Sequence, residues 1–402
     1  MGKVATENTL QKGVDLLSII ARQNATFTDY SEVQAIVQKG LAPNVFSLGD
    51  RIVTTWNDGS HEYECPFDVV AFRDVEKEDG SVVPGMIIQA HYGFAGIQFD
   101  GNEAFYHCGS NLAAGSYYVT MGNSWGSNVV SGKSYTFTLT QAVPAGGQLL
   151  FGTATSTTGA LPDTAPANWR VWSYESQTAT EPLEKVTLSE GTTGTSLGTL
   201  SSSTKYADTG LNNMQRASYG YNRWSQSGIR QNMNSSADAG AWWTPQNVFD
   251  RPPLELTTKR GFMAGFPSDF LEVLSPVKVV TALNTVSDSD IGVSEVTYDT
   301  FFLPSLEEEY CAPQVSGVEG AYWPYWKERL GISSPQASGT ANALPAHIRY
   351  ALENHTSAQT IRLRSAGRGN AYGTWLVYST GYVFPNYHAT YSIRFAPACV
   401  IC

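Results

Sequence analysis

Six histidines and five cysteines are the side chains from which metal or nucleophilic chemistry would be built, and their spacing supports neither. His61, His91, His107, His347, His355 and His388 contain no H-E-x-x-H and no close metal pair. No G-x-S-x-G elbow, phosphate-binding loop or dinucleotide fingerprint occurs. His347 and His355 flank the stretch HIRYALEN, where a short helix would place them on one face as a solvated pair. Cys65, Cys108, Cys311, Cys399 and Cys402 are scattered and odd in number, unlike a disulfide framework. Cys399 and Cys402 form C-x-x-C without the second ligand pair that zinc needs, so they are expected as structural thiols near a strand end. Paired carboxylates for glycoside hydrolysis can lie far apart in a chain, and no pair stands out. Glu307 to Glu309 follow Ser305 in a capping box, which predicts a role at a helix N-terminus. Asp288 and Asp290 read as polar loop residues. What remains is recognition, and no catalytic residue, metal ligand or cofactor is predicted.

The recognition chemistry concentrates in residues 361–402. This stretch has no Lys, Asp, Glu, Gln or Met, but five Tyr and four Arg, so a chain of formal charge -11 ends in a segment of charge about +4. Tyr gives large contact area at low entropy cost, while Ser, Gly, Asn and Thr give adaptable hydrogen bonds, the mixture of antibody-type surfaces. An ordinary terminal sheet fits the composition equally well. The acidic balance argues against a general nucleic-acid binder, and no apolar run reaches the roughly eighteen residues of a membrane span.

The elements that must position this stretch are mostly short strands. Residues 1–42 predict a helical attachment or oligomerisation segment: Val14, Leu17, Ile20 and Ala21 fall near helical spacing. Asp29 and Glu32 form a capping box, and Gly40 stops the helix of Val33, Ile36 and Val37. From Phe46 the period changes to two, and EKEDGS (76–81) marks a hairpin tip. Residues 43–103 are the first part of a mixed domain. Residues 104–204 turn poor in charge and rich in Gly, Thr and Ser, which predicts an inserted β-sandwich. Its Trp125, Trp169, Trp172 and Tyr174 are open to two readings, sugar-stacking faces or core. The mixed domain resumes over 205–402. There YGYNRWSQSGIRQNMNS predicts a helix capped by Asn222, Ser268 caps DFLEVLS, EGAYWPYWKER predicts an aromatic loop, and HIRYALEN one more helix.

The order of YGYNRWSQSGIRQNMNS, FFLPSLEEEY, the EG-aromatic loop, RLRSAG, GYV and RFAPACVI, preceded by YSEVQAIVQKGLAPNVFSLGD and FDVVAF, resembles the variable proteins of diversity-generating retroelements of gut phages and prophages. The resemblance spans nearly the whole chain. It implies an α+β, C-type-lectin-like domain with the sandwich inserted and the helical segment in front. It also implies a tail-associated receptor-binding protein on a virion, assembled in the host cytoplasm. Template adenines are mutated in such genes, so AAY codons become NNY, which cannot encode Lys, Glu, Gln or Met, all absent after residue 360. Trp375 is then a fixed position. Where the family carries two aromatic residues before Leu-Arg-Ser, this chain has Thr360, Ile361 and Arg362.

Under this resemblance Leu363, Trp375, Val377, Gly381, Val383, Ala396, Pro397 and Ala398 are scaffold. Ligand-binding positions are Arg368, Asn370, Tyr372, Tyr378, Tyr382, Phe384, Asn386, Tyr387, His388, Thr390, Tyr391 and Ile393. The implied partners are a bacterial surface protein or glycan and, through the N-terminal segment, other tail proteins. A homo-oligomer, guessed as a trimer, would add avidity. Two alternatives stand beside it: a virion structural protein without a variable site, and a tail-associated glycan-processing enzyme.

Overall fold

The computed structural model describes residues 29–158, 160–205 and 209–402, apart from the side chain of Asn386. The expected attachment helix around Val14 to Ala21 lies outside the described residues. The second helix is where its signals put it. Helix Tyr30–Gln38 is capped by Asp29, whose carboxylate accepts the Ser31 amide at 2.9 Å. It ends at Gly40, where φ is 69°. Val33, Ile36 and Val37 lie on its buried face, and Gln34 Nε2 donates to the Cys402 carbonyl at 2.8 Å.

The stretch CPFDVVA is buried without alternation, as a strand covered on both faces requires. It belongs to strand Glu62–Glu76 of a five-stranded central sheet. The order is Arg51–Asn57, Glu62–Glu76, Val82–Ala90, Ala398–Ile401, Phe301–Phe302, all antiparallel. A second five-stranded sheet, the terminal sheet, has the order Val383–His388, Gly373–Val377, Ile361–Ala366, Ser392–Phe395, Phe94–Gln98. Its pairings are antiparallel except Ile361–Ala366 with Ser392–Phe395. One large apolar core joins both sheets through Phe67, Phe94, Phe262, Phe301, Trp326 and Phe395.

Between Phe99 and Asn212 the chain builds a β-sandwich, with a five-stranded sheet facing one of four strands around Phe105, Phe137, Phe151 and Trp169. Trp169 and Tyr174 are buried in this region, the core reading, while Trp125 and Trp172 are only partly covered.

The α+β, C-type-lectin-like expectation is overturned. The chain is mostly β, 35% strand against 15% helix, in several antiparallel sheets. Several predicted helices are broken by local chemistry. Within Tyr219 to Ser235, Tyr219 is the last residue of helix Met214–Tyr219. That helix stops at Gly220, where φ is 77° and a Cβ would lie 2.8 Å from the Gly101 carbonyl oxygen. Ser227, not Asn222, caps the next helix, Gly228–Met233. HIRYALEN holds the end of a single turn, Pro345–His347, and then a bridge strand, Arg349–Tyr350, so His347 and His355 share no helical face. The expected aromatic loop instead contains helix Pro324–Leu330, with Trp323 and Trp326 buried. Ser305 and Glu308 do exchange the two bonds of a capping box, at 3.2 and 2.9 Å, but around a turn. The three glutamates there anchor loops rather than a helix N-terminus. Glu307 accepts the Glu319 amide, Glu308 pairs with Arg364, and Glu309 meets His347 Nε2 at 3.1 Å and Gln89 Nε2 at 2.7 Å.

Candidate binding surface

Residues 361–366 are a fully buried strand, and its two arginines are the knots that hold the surface loops. Arg362 donates from Nη2 to the carbonyls of His388 (3.1 Å) and Tyr391 (2.7 Å), and from Nη1 to Thr374 Oγ1. Burial without a carboxylate partner pushes its pKa down to about 9. Arg364 reaches the carbonyls of Leu303 (2.7 Å), Val280 (3.1 Å) and Glu319 (3.1 Å) and pairs with Glu308. Ser365 Oγ donates to Glu319 at 2.6 Å and accepts the Leu306 amide at 2.9 Å.

The next two strands form a hairpin closed by the Tyr378 amide on the Tyr382 carbonyl at 2.9 Å. Its turn needs Gly381, with φ 86°, because a Cβ there would stand 2.1 Å from the Leu344 carbonyl oxygen. Strand Val383–His388 is the sheet edge, where Pro385 can sit without losing a ladder bond. Leu363, Trp375, Val377 and Val383 are buried together with Leu306 and Cys311.

From this base the rings of the hairpin and the following loop make a continuous track. Tyr382 stacks on Tyr378 (centroids 4.4 Å apart, planes 10° apart), and Phe384 packs edge-on to Tyr378 at 5.6 Å. Tyr387 is 6.2 Å from Tyr378 and 5.3 Å from Tyr391, and Tyr391 is 4.6 Å from His388. His388 stacks at 3.5 Å on Tyr219, and Tyr372 lies 5.2 Å from His388. The track ends on the sandwich at Trp125, 4.9 Å from Tyr219 and 5.5 Å from Tyr372. Tyr219 lies buried beneath it and donates its hydroxyl to Asp163 of the sandwich at 2.5 Å. The outermost rings are Phe384 and Tyr391, 37% and 36% exposed.

The track gathers seven of the twelve positions expected to bind: Tyr372, Tyr378, Tyr382, Phe384, Tyr387, His388 and Tyr391. Asn370 and Thr390 are buried. The Asn370 carboxamide accepts the amides of Tyr372 (3.1 Å) and Gly373 (2.6 Å), and so shapes the turn instead of facing a ligand. Thr390 is held at the Tyr219 carbonyl through its amide (3.2 Å), while its own carbonyl takes Gln98 Nε2. Arg368 donates to the Val293 carbonyl at 3.1 Å, and Ile393 is a ladder partner of Ile97; neither makes a ring contact with the track. The Asn386 side chain lies outside the described residues. Trp125, Asp163 and Tyr219 were not predicted as one site. Only the sugar-stacking reading of Trp125 pointed here, since nothing in sequence joins residues this far apart.

Burial pushes the His388 imidazole down to about 4. The folded protein therefore refuses a proton that the unfolded chain accepts near 6.5. The stability this contributes is full above about 6.5 and is lost as pH falls towards 4. An NMR titration should find the His388 ring neutral at pH 5.5. A midpoint near 6.5 would contradict its stacked, covered setting.

A network of buried polar groups lies beneath the terminal sheet. Asn222 Nδ2 donates to the carbonyls of Gly367 (3.3 Å), Asn370 (3.0 Å) and Gly373 (2.8 Å). Asn284 Nδ2 joins Asn222 Oδ1 to Asp288, so Asp288 lies in a loop as expected but is a buried anchor rather than a surface residue. Asp100, Glu103 and Asp250 are all buried, with carboxylate oxygens within 4.8 Å of one another, close enough to share a cation. The Glu103 carboxylate is already taken up by Arg216 through two bonds, 2.6 and 2.7 Å. The five cysteines are buried, unpaired thiols, and burial holds Cys399 well above the usual thiol range.

A family profile described as "Domain of unknown function (DUF6273)" matches residues 199–401, just over half of the chain. The chain belongs to the DUF6273 family. No curated protein and no solved structure matches it. The DUF6273 region starts as the sandwich ends and holds four of the five terminal-sheet strands. It lacks Phe94–Gln98 and the three long strands between Arg51 and Ala90, so both sheets of this member are completed from outside the matched region.

Proposed function

We propose that this DUF6273 protein is a receptor-binding component of a phage tail, whose aromatic track is a variable surface diversified by a retroelement. The observation that supports this best is the track itself. Side chains of the types that NNY codons allow run ring to ring across one surface, while the residues beneath them are fixed by buried bonds. Such a surface can change without disturbing the core that carries it. Tyrosine anchors over a rigid base are the usual centre of a protein or glycan contact. The partner in this reading is a protein or glycan of the bacterial surface. Several copies on one virion would add avidity. Among the described residues no helix is long and apolar enough to cross a membrane.

The test is a binding screen of the purified protein against host surface proteins and glycans, with Tyr382→Ala/Tyr387→Ala/Tyr391→Ala in parallel. These rings are partly exposed, so the variant should fold, and its affinity should fall by about 100-fold or more. Equal binding by the two forms would sink the proposal. Sequenced clonal relatives should differ at the track positions within residues 361–402 and keep Asn222, Arg362 and Arg364. Variation spread evenly through the core would count against it.

A further inference from the structure

On the far side of the terminal sheet from the hairpin, the chain encloses a cavity of about 250 Å³. It lies by the edge strand Phe94–Gln98 and the hairpin tip Asp58–Ser60. Its apolar walls are aromatic: Trp56 lies 5.0 Å from Phe94, 5.6 Å from Phe262 and 6.4 Å from Tyr63. Two cations line it, Lys259 and Arg260.

Neither cation has a carboxylate within ion-pair distance among the described residues. Lys259 Nζ donates to the carbonyls of Gly96 (2.8 Å) and Ala95 (3.4 Å), which leaves one ammonium proton free. Among the described residues Arg260 bonds through Nη2 alone, to Asn57 O (2.6 Å) and Asn57 Oδ1 (3.3 Å), which leaves Nε and Nη1 without acceptors there. The two acids on the lining are already engaged. Asp58 accepts the amides of Ser60 and His61 and the Tyr63 hydroxyl. Glu353 is bound by Arg394 at 2.9 Å. Burial holds the Lys259 ammonium below its usual range, a sign of positive charge without sufficient solvation. The cavity therefore has aromatic faces, spare cationic donors and two acids whose oxygens are already bonded.

We propose that this cavity is a second binding site, independent of the variable surface, for a small ring-bearing monocarboxylate whose carboxylate meets Arg260 and Lys259 while its ring lies against Trp56 and Phe262. A guanidinium with unpaired N–H groups is the natural partner of a carboxylate. Aromatic walls accept either an aryl ring or the apolar face of a sugar. The shared chemistry thus has two sources, an aromatic acid or an acidic sugar.

Saturation-transfer NMR on the full chain separates them, with benzoate and D-glucuronate as probes and benzamide and D-glucose as neutral counterparts. At least one carboxylate should bind, and bind better than its neutral counterpart. Benzoate alone would identify an aromatic acid site, glucuronate alone an acidic sugar site. Arg260→Gln should weaken that probe by about tenfold or more. Ser60→Trp, which puts a large ring on the lining from an exposed turn, should abolish binding even if Arg260→Gln misfolds. The variant Tyr382→Ala/Tyr387→Ala/Tyr391→Ala should bind the probe as the wild type does. Binding of neither carboxylate, equal binding of the neutral counterparts, or undiminished binding by a folded Ser60→Trp would overturn the proposal.

Discussion

Arg216→Met should destabilise the protein by about 3–5 kcal/mol, the range for breaking a buried ion pair from one side. Arg216 and Glu103 are both fully buried, joined by bonds of 2.6 and 2.7 Å, and the guanidinium lies 3.7 Å over the Tyr221 ring. It is the cation among three buried carboxylates, Asp100, Glu103 and Asp250. Burial raises Asp100 and Asp250 well above the carboxylate range, and neighbouring acids raise them further. A raised carboxyl contributes stability that is fully present below its unfolded value, about 3.9, and is lost as pH rises through the folded value. Without Arg216 the cluster has no guanidinium to offset its charges, so the deficit should grow with pH. Urea unfolding near pH 5 and near pH 8 reads both effects. A deficit under about 1 kcal/mol, or one equal at the two pH values, would show that Arg216 does not hold the cluster.

Arg364→Met should be comparably severe, about 3–5 kcal/mol. It strips the partner from the Glu308 carboxylate and takes a donor from the carbonyls of Leu303, Val280 and Glu319, of which Glu319 keeps Ser305 Oγ at 3.0 Å. Arg364→Lys should recover only part of the loss, because an ammonium lacks the planar fork that reaches several acceptors at once. The strand that carries Arg364 also carries Arg362, so damage here should reach the track. Stability and, under the proposed function, receptor binding should both fall in Arg364→Met, whereas the tyrosine variant should lose binding alone. Unchanged unfolding of Arg364→Met would refute the role assigned to this knot.

These arginines also show what the sequence could disclose. Four arginines without acids give residues 361–402 a charge of about +4, yet Arg362 and Arg364 are buried and Arg394 is paired with Glu353. Composition reports the charge of a segment, not which way each side chain points. The signals that held are local. Asp29 and Gly40 bound a helix whose caps need only neighbouring residues, and EKEDGS turns at Gly80, with φ 81°. Trp375, Val377 and Val383, which the resemblance and not spacing set apart as scaffold, are buried beside the rings. What failed depends on the rest of the molecule. HIRYALEN has helical spacing, but Arg349 and Tyr350 pair with Gln359 and Ala358. The overall class was an implication of the resemblance rather than of local spacing, and the several antiparallel sheets overturn it. Trp125 and Asp163 reach the track from a sandwich that precedes it by most of the chain, Lys259 reaches strand Phe94–Gln98 across 163 residues, and Arg260 reaches Asn57 across 203.

Strand Ala398–Ile401 lies inside the central sheet, between Val82–Ala90 and Phe301–Phe302. A ribosome adding about 5–20 residues per second needs roughly 15–60 s to pass from Ala90 to Ala398. For that interval the Val82–Ala90 edge is without its native neighbour, open to strand exchange with another nascent chain. The sandwich, whose strands all fall within one continuous stretch, can close meanwhile. Assembly of the rest is bound to the final residues, so truncations that spare the aromatic track but remove 398–401 should yield aggregates rather than a smaller binding module.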